Sequence, residues 1–249
     1  MKYEPKIAPW PQAYGELLPV SEIFSSIQGE GRFAGHPAMF IRLKYCNLGC
    51  AWCDTRFTWD PDKLEPGELL SPAQIATRVE KLIGGDVIGR KAFHVVITGG
   101  EPMLHQDRIP VLINRLKNVG LEFFEIETNG MFVPSAEMTR EVSWWNCSPK
   151  LTNNGLTTEQ NLVESALHAF AATGQADFKF VVKSEADIDE IKRDYLPHIP
   201  ADSVILMPEG WTVRRQLELM PSVIQLAAKH GFRFSPRLHI LAWGNERGR

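Results

Sequence analysis

The chain has 249 residues, 44% of them hydrophobic, 23% charged and 17 of them proline. That is enough apolar material for one large soluble core and too much for a disordered segment. Its 27 basic and 30 acidic residues give a net charge of −3 with no lysine- or arginine-rich run, which argues against a nucleic-acid surface. No apolar stretch approaches the roughly 18 to 20 residues of a bilayer span, and the opening residues lack the apolar core of a secretory signal. The expectation is therefore a cytoplasmic protein with no membrane partner.

Residues 1–19, with prolines at 5, 9, 11 and 19 and a Trp10 that looks exposed, read as an N-terminal extension on the surface that adds little chemistry, and 20–249 as a single domain. A strand is expected over 20–27, then a glycine-rich turn over 29–35, then a strand over 38–43 that runs directly into three cysteines. Ser71 is placed to cap, and Pro72 to open, a helix over 73–83 with Ile75, Val79 and Leu82 on one face. The β-branched run at 94–98 leads into glycines, and a helix over 107–119 and a strand over 122–130 follow. Beyond the segment 144–150 come a helix over 159–173, a strand over 178–184, a helix over 185–195, a strand over 203–210, a helix over 213–230 and a last strand over 233–238. Strands alternating with helices imply right-handed βαβ units, an α/β fold and a mostly parallel sheet. The unusual loop sequences all fall just after expected strands, so they should converge at the carboxyl ends of the sheet.

Cys46, Cys50 and Cys53 lie within eight positions, separated by three and then two residues. Thiols so close do not form a secreted disulfide framework; in a reducing compartment they point to a metal. Gly49 lets a short loop wrap so that each sulfur reaches a different iron, and three ligands for four irons leave one iron open. An open coordination position on a metal centre generally receives substrate or cofactor. Zinc is the alternative, but it needs a second cysteine pair or suitably spaced histidines, which neither Cys147 nor the scattered His residues supply. Cys147, on an apolar strand, reads as a packed core thiol.

This spacing, with the aromatic Trp52 just before the last cysteine, resembles the radical S-adenosylmethionine (SAM) superfamily, and so does Thr98-Gly99-Gly100-Glu101-Pro102. The resemblance implies a partial, modified (β/α) radical SAM barrel with a mostly parallel sheet. It also implies a 4Fe-4S cluster on the three cysteines and a SAM site that includes Trp52, Cys53, Asp54, Gly100 and Glu101. Glycines permit close approach, and a carboxylate can pair the methionine ammonium.

Further motifs resemble the 7-carboxy-7-deazaguanine synthase family. They are Ser26-Ile27-Gln28-Gly29-Glu30-Gly31, Arg42, Cys53-Asp54-Thr55, Glu127-Thr128-Asn129-Gly130, Ser148-Pro149-Lys150 and Met207-Pro208-Glu209-Gly210. That family contracts the ring of 6-carboxy-5,6,7,8-tetrahydropterin to 7-carboxy-7-deazaguanine with release of ammonia, in queuosine and 7-deazapurine biosynthesis. By this resemblance Ile27, Gln28, Gly29, Arg42 and Thr98 bind substrate, since a carboxypterin asks for amide groups at its ring edge and a fixed cation at its acid. Ser148, Pro149, Lys150, Met207, Pro208, Glu209 and Gly210 would bind SAM, and Thr55 a Mg2+ ion. Glu127 is expected either to act as acid or base or to pair with a lysine. The C-terminal residues depart from members ending Thr-His-Lys-Tyr-Leu and resemble a branch ending Trp-Gly-Asn-x-Arg-Gly, which makes His239 and Arg249 candidate substrate contacts. A homodimer and a flavodoxin-like or similar electron donor are also implied. A glycyl-radical activating enzyme and a non-enzymatic zinc-binding module remain as alternatives.

Overall fold

A computed structural model describes residues 6–9, 15–84 and 87–249, with the backbone only at 87 and 88. Among these residues nine strands form one sheet in the order β3-β1-β2-β4-β5-β6-β7-β8-β9. They are β1 (Leu18–Ile27), β2 (Pro37–Leu43), β3 (Glu68–Leu70), β4 (His94–Gly99), β5 (Phe123–Thr128), β6 (Trp144–Cys147), β7 (Ala176–Val182), β8 (Val204–Pro208) and β9 (Arg233–Phe234). From β2 to β9 every neighbouring pair is parallel. β1 runs antiparallel to both β2 and β3. The short glycine-rich link between β1 and β2 forces this reversal, because a parallel return needs a crossover of a dozen or more residues.

Side chains alternate across each strand, and this period of two divides the molecule chemically. One face of the central strands carries Met39, Ile41, Leu43, Val95, Ile97, Phe124, Ile126, Phe178 and Phe180, which join the main apolar core beneath the helices. The opposite face points Arg42, Thr98, Glu127, Asn146 and Lys179 into a cavity inside the curved sheet. The outer shell supplies the hydrophobic stabilisation, which leaves the inner face free to be polar.

The helix at Pro72–Ile83 has the expected Ser71 cap: Gln74 N donates to Ser71 Oγ at 3.3 Å and Ser71 N to Gln74 Oε1 at 2.8 Å. Ile75 and Val79 are buried, but Leu82 at the same face is half exposed. Several expected elements differ from the structure. The helix expected over 159–173 is two pieces, Thr158–Asn161 and Glu164–Ala172, because Asn161 turns its amide to Asn154, 2.8 Å away. The helix over 185–195 is Glu185–Glu190 continued by a π turn, Ile191–Tyr195, whose Tyr195 hydroxyl donates to Lys150 O at 2.6 Å. The last strand stops at Phe234; beyond Pro236, which has no N–H for a ladder, the chain forms a helix at Leu238–Trp243. Trp10 and the prolines at 5 and 11 lie outside the described residues. The extension does not lie wholly on the surface, however. Ala8 is buried, its N–H donates to Trp59 O at 3.0 Å, and Ile7 packs against the cluster that contains Cys46 and Cys50.

Candidate active site

The cysteine loop is held by backbone contacts from the next parallel strand. Gly100 N donates to Leu43 O at 3.1 Å and Glu101 N to Tyr45 O at 2.7 Å. The approach is so close that a Cβ on Gly99 would stand 2.2 Å from Leu43 O, and one on Gly100 2.0 Å from Tyr45 O. The glycine pair is therefore demanded by packing against the loop itself. Tyr45, immediately before Cys46, has φ 73°, the only positive φ among described non-glycine residues.

Each thiol has an N–H donor nearby: Leu48 N to Cys46 at 3.4 Å, Asn154 Nδ2 to Cys50 at 3.4 Å, and Trp59 Nε1 to Cys53 at 3.2 Å. Burial pushes the Cys46 thiol well above its ordinary pKa, with Glu101 adding to the rise. Burial raises Cys50 too, against the pull of Lys150. Buried thiols with N–H groups aimed at sulfur suit ligation to a cationic centre, which would supply the charge that ionises them. Among the described residues, no three His, Cys, Asp or Glu side chains are grouped to hold a single metal ion.

All three cysteines open onto a cavity of about 350 Å³. Its opposite wall is a set of charged and amide groups from the strand ends. Glu127 accepts from Thr98 Oγ1 at 3.0 Å and from Gln28 Nε2 and Lys179 Nζ, both at 3.4 Å. Lys179 also donates to Glu30 at 3.0 Å, and Arg237 donates to the other Glu30 oxygen at 2.7 Å and to Asp54. A chain of alternating charge thus runs from the residue after Cys53 to the end of β5. Burial would raise the Glu30 carboxyl, but Lys179 and Arg237 hold it well below its usual range. Burial would likewise lower Lys179, but Glu127 and Glu30 keep it raised and charged. Beneath them the buried Glu125 accepts from Gln28 at 3.1 Å and Asn146 at 2.6 Å and meets His94 Nδ1 at 2.6 Å.

The residues singled out by sequence largely meet here. Ile27, Gln28, Gly29, Arg42, Trp52, Asp54, Thr55, Thr98, Gly100, Glu127, Ser148, Lys150, Met207, Pro208, Gly210, His239 and Arg249 line the same cavity as the cysteines. His239 packs so closely over Gly29 that a Cβ there would stand 2.1 Å from Nδ1. Three expected residues are placed elsewhere. Glu101 is fully buried, accepting from Met103 N at 2.9 Å and from Thr128 Oγ1 and Asn129 N, both at 2.7 Å, so its carboxylate braces the Glu127–Gly130 turn. Glu209 turns to Arg215 at 3.0 Å, and Pro149 does not line the cavity. Asn146, Lys179 and Arg237 line it without having been singled out, and so does Glu30, which lay in a quoted motif but was given no role. Lys179 did carry a signal, a lysine at an inward position of an apolar strand.

A model of the radical SAM superfamily matches residues 40–143. A Pyrobaculum aerophilum protein named 7-carboxy-7-deazaguanine synthase is 38% identical over 92% of this chain and 96% of its own length. A Halobacterium salinarum protein of the same name is 33% identical over 93% and 92%. Among solved structures, QueE from Escherichia coli superposes with a TM-score of 0.66 at 27% identity, covering 91% of this chain and 96% of that one.

Proposed function

The chain belongs to the 7-carboxy-7-deazaguanine synthase family of radical SAM enzymes, and on that premise we propose the roles its residues play. Its reaction is the ring contraction of 6-carboxy-5,6,7,8-tetrahydropterin to 7-carboxy-7-deazaguanine with loss of ammonia. The family assignment displaces the glycyl-radical activating and zinc-module readings. The observation that supports a shared site best is that the three cysteines and the charged strand-end residues face one cavity.

Cys46, Cys50 and Cys53 would hold the 4Fe-4S cluster, with Trp52, Asp54, Gly100, Ser148, Lys150, Met207, Pro208 and Gly210 around the SAM that binds it. Together the cluster and SAM supply a 5′-deoxyadenosyl radical. The chain's own residues hold the substrate and its protons. Arg42 is the cation for the pterin carboxylate. Thr98, His239 and the Ile27–Gln28–Gly29 backbone would contact the ring. The Gln28 amide holds Glu125 and Glu127, so it orders that wall. Asn146 Oδ1 is buried without a hydrogen-bond partner among the described residues, an acceptor that a pterin N–H would satisfy. Glu127, steadied by Thr98 and Lys179, would carry the proton that a departing nitrogen needs.

Magnesium belongs to the same proposal. Thr55 Oγ1 lines the cavity 3.5 Å from the Cys53 sulfur, whereas the neighbouring Asp54 is engaged by Arg237. Such an ion would keep mostly water and substrate oxygens as ligands. We also take the enzyme to be a cytoplasmic homodimer served by a flavodoxin-like or similar electron donor. No described helix is long and apolar enough to cross a membrane.

Anaerobic incubation of the reconstituted protein with the carboxypterin, dithionite, SAM and Mg2+ should yield 7-carboxy-7-deazaguanine, and less of it when Mg2+ is chelated. SAM cleavage without the deazapurine would overturn the substrate and spare the radical chemistry. Bound zinc without sulfide would overturn both.

A further inference from the structure

Arg42, the cation assigned to the substrate carboxylate, already has a carboxylate beside it. Its Nε donates to Glu22 Oε1 at 2.6 Å, across the β1–β2 pair. A guanidinium and a carboxylate normally close into a two-pronged fork, and a fork here would neutralise Arg42 and occupy the edge that an incoming acid needs. The fork is not closed. Among the described residues, neither Nη of Arg42 has a hydrogen-bond partner, and the other Glu22 oxygen is taken by Arg247, whose Nε and Nη2 lie 3.4 and 3.3 Å away. Arg247 is itself fixed from two further sides. Its guanidinium stacks 3.8 Å from the Phe57 ring, and Nη1 donates to Glu65 at 2.5 Å. Glu22, Arg42, Phe57 and Arg247 all line the cavity.

We propose that Arg247 is a specificity-determining residue for the anionic substrate: by holding one oxygen of Glu22 it keeps that carboxylate from closing on Arg42, which stays open for the substrate's acid. The proposal rests on the carboxypterin reading given above. Without Arg247, Glu22 has one cation in reach instead of two, and its free oxygen turns to Arg42. A substrate carboxylate must then displace an internal one. A substrate without a carboxylate loses nothing by this.

The test is a pair of substitutions read in two ways. In turnover at saturating SAM, Arg247→Met should raise KM for the carboxytetrahydropterin roughly tenfold or more, the scale of one charge-assisted hydrogen bond, while kcat changes much less. KM for SAM should stay put. Adding Glu22→Gln should bring the carboxypterin KM back toward wild type, because a neutral amide does not compete for Arg42. A role confined to anchoring residues 244–249 predicts no such rescue. The second reading is equilibrium binding, by fluorescence, of oxidised pterin-6-carboxylate against pterin without the carboxylate. Arg247→Met should weaken the first and spare the second. An unchanged KM, equal loss for both pterins, or failure of Glu22→Gln to rescue each overturns the proposal. If the wild type forms no deazapurine but shows the expected binding pattern, the substrate assignment falls and the anion gate stands.

Discussion

The cavity has two walls built on different principles. The cysteine wall is made by short stretches of chain whose backbones touch: Gly99 and Gly100 lie against Leu43 and Tyr45, and N–H groups point at sulfur. The facing wall is made by side-chain charge, with partners drawn from across the whole chain. Lys179 reaches Glu30 over 149 positions and Arg237 reaches it over 207. Backbone contact tolerates no added atom, whereas an ion-pair network tolerates small shifts but no missing charge. The two walls should therefore fail in different ways.

The largest expected effect is on the cysteine wall and is functional. Cys50→Ser should abolish turnover and the absorption near 400 nm typical of iron–sulfur clusters, while near-wild-type activity would remove the cluster from the mechanism. Next comes a test of the charged wall. Lys179→Met removes a buried cation from Glu30 and Glu127, whose side chains keep 13% and 24% exposure, so the loss should stay below the roughly 3–5 kcal/mol of a fully buried pair but well above that of a surface one. Urea denaturation reads this directly. By contrast, Arg78→Ala at the exposed Arg78–Glu68 pair, 2.6 Å apart, should leave the urea midpoint essentially unchanged, because solvent screens it. Equal losses at the two sites would mean that the charged wall is only surface electrostatics.

Gly100→Ala should cost about 1–3 kcal/mol, the range for overpacking, since its Cβ meets the Tyr45 carbonyl at 2.0 Å and backbone must move. The sharper outcome is cluster occupancy. The displaced residue is next to Cys46, so iron and sulfide content should fall further than stability alone explains. Full occupancy would show that the loop yields without disturbing the thiol.

These contrasts also explain what the sequence revealed. The cysteines, the glycine pair and the turn after β5 could be read because each is a short contiguous motif whose residue types and spacing already carry the chemistry. Arg42 and Thr98 could be read through resemblance, and their facing positions on paired strands follow from the parallel register, in which Arg42 lies opposite Thr98. Arg237 could not be read, and Glu30, though inside the Ser26–Gly31 motif, was given no role: only when the helix at Leu238–Trp243 swings the C-terminal segment over Gly29 do the two charges meet. That helix was itself obscured, because the apolar residues around 233–240 suit a strand as well as a helix, and only Pro236 hints at the break. Glu101 shows the opposite limit. Its motif pointed at a ligand, and its carboxylate is spent on the protein's own backbone.

That burial gives a pH signature. The Glu101 carboxyl is pushed up to about 7 because desolvation outweighs its three hydrogen bonds. A raised acid binds its proton more tightly in the native state, so the stability it contributes is full below the unfolded value of 4.5 and falls as pH rises to about 7. The difference in unfolding free energy between wild type and Glu101→Gln should therefore shrink by roughly 2–3 kcal/mol between pH 5 and pH 8, the equivalent of two pKa units or so. A difference that stays flat over this window would place the carboxyl at its ordinary value and leave the cysteine wall without a titrating brace.

The smallest expected effect separates contact from scaffolding at the cavity mouth, where the two walls meet. Among the described residues Arg249 pairs only with Glu246, at 3.1 Å, and both side chains are 55% exposed. Solvent screening limits such a pair to about 0–1 kcal/mol, so Arg249→Ala should leave Tm essentially unchanged. Arg249 nevertheless lines the cavity alongside Arg42, and a flexible cation there can still meet a bound acid. If it does, KM for the carboxypterin rises a few-fold with no change in Tm. That rise should survive in an Arg247→Met background, because Arg249 has no hold on Glu22. If KM and Tm both stay at wild-type values, residues 244–249 act on the substrate through Arg247 alone, and the charged wall ends at the residue that keeps Arg42 open.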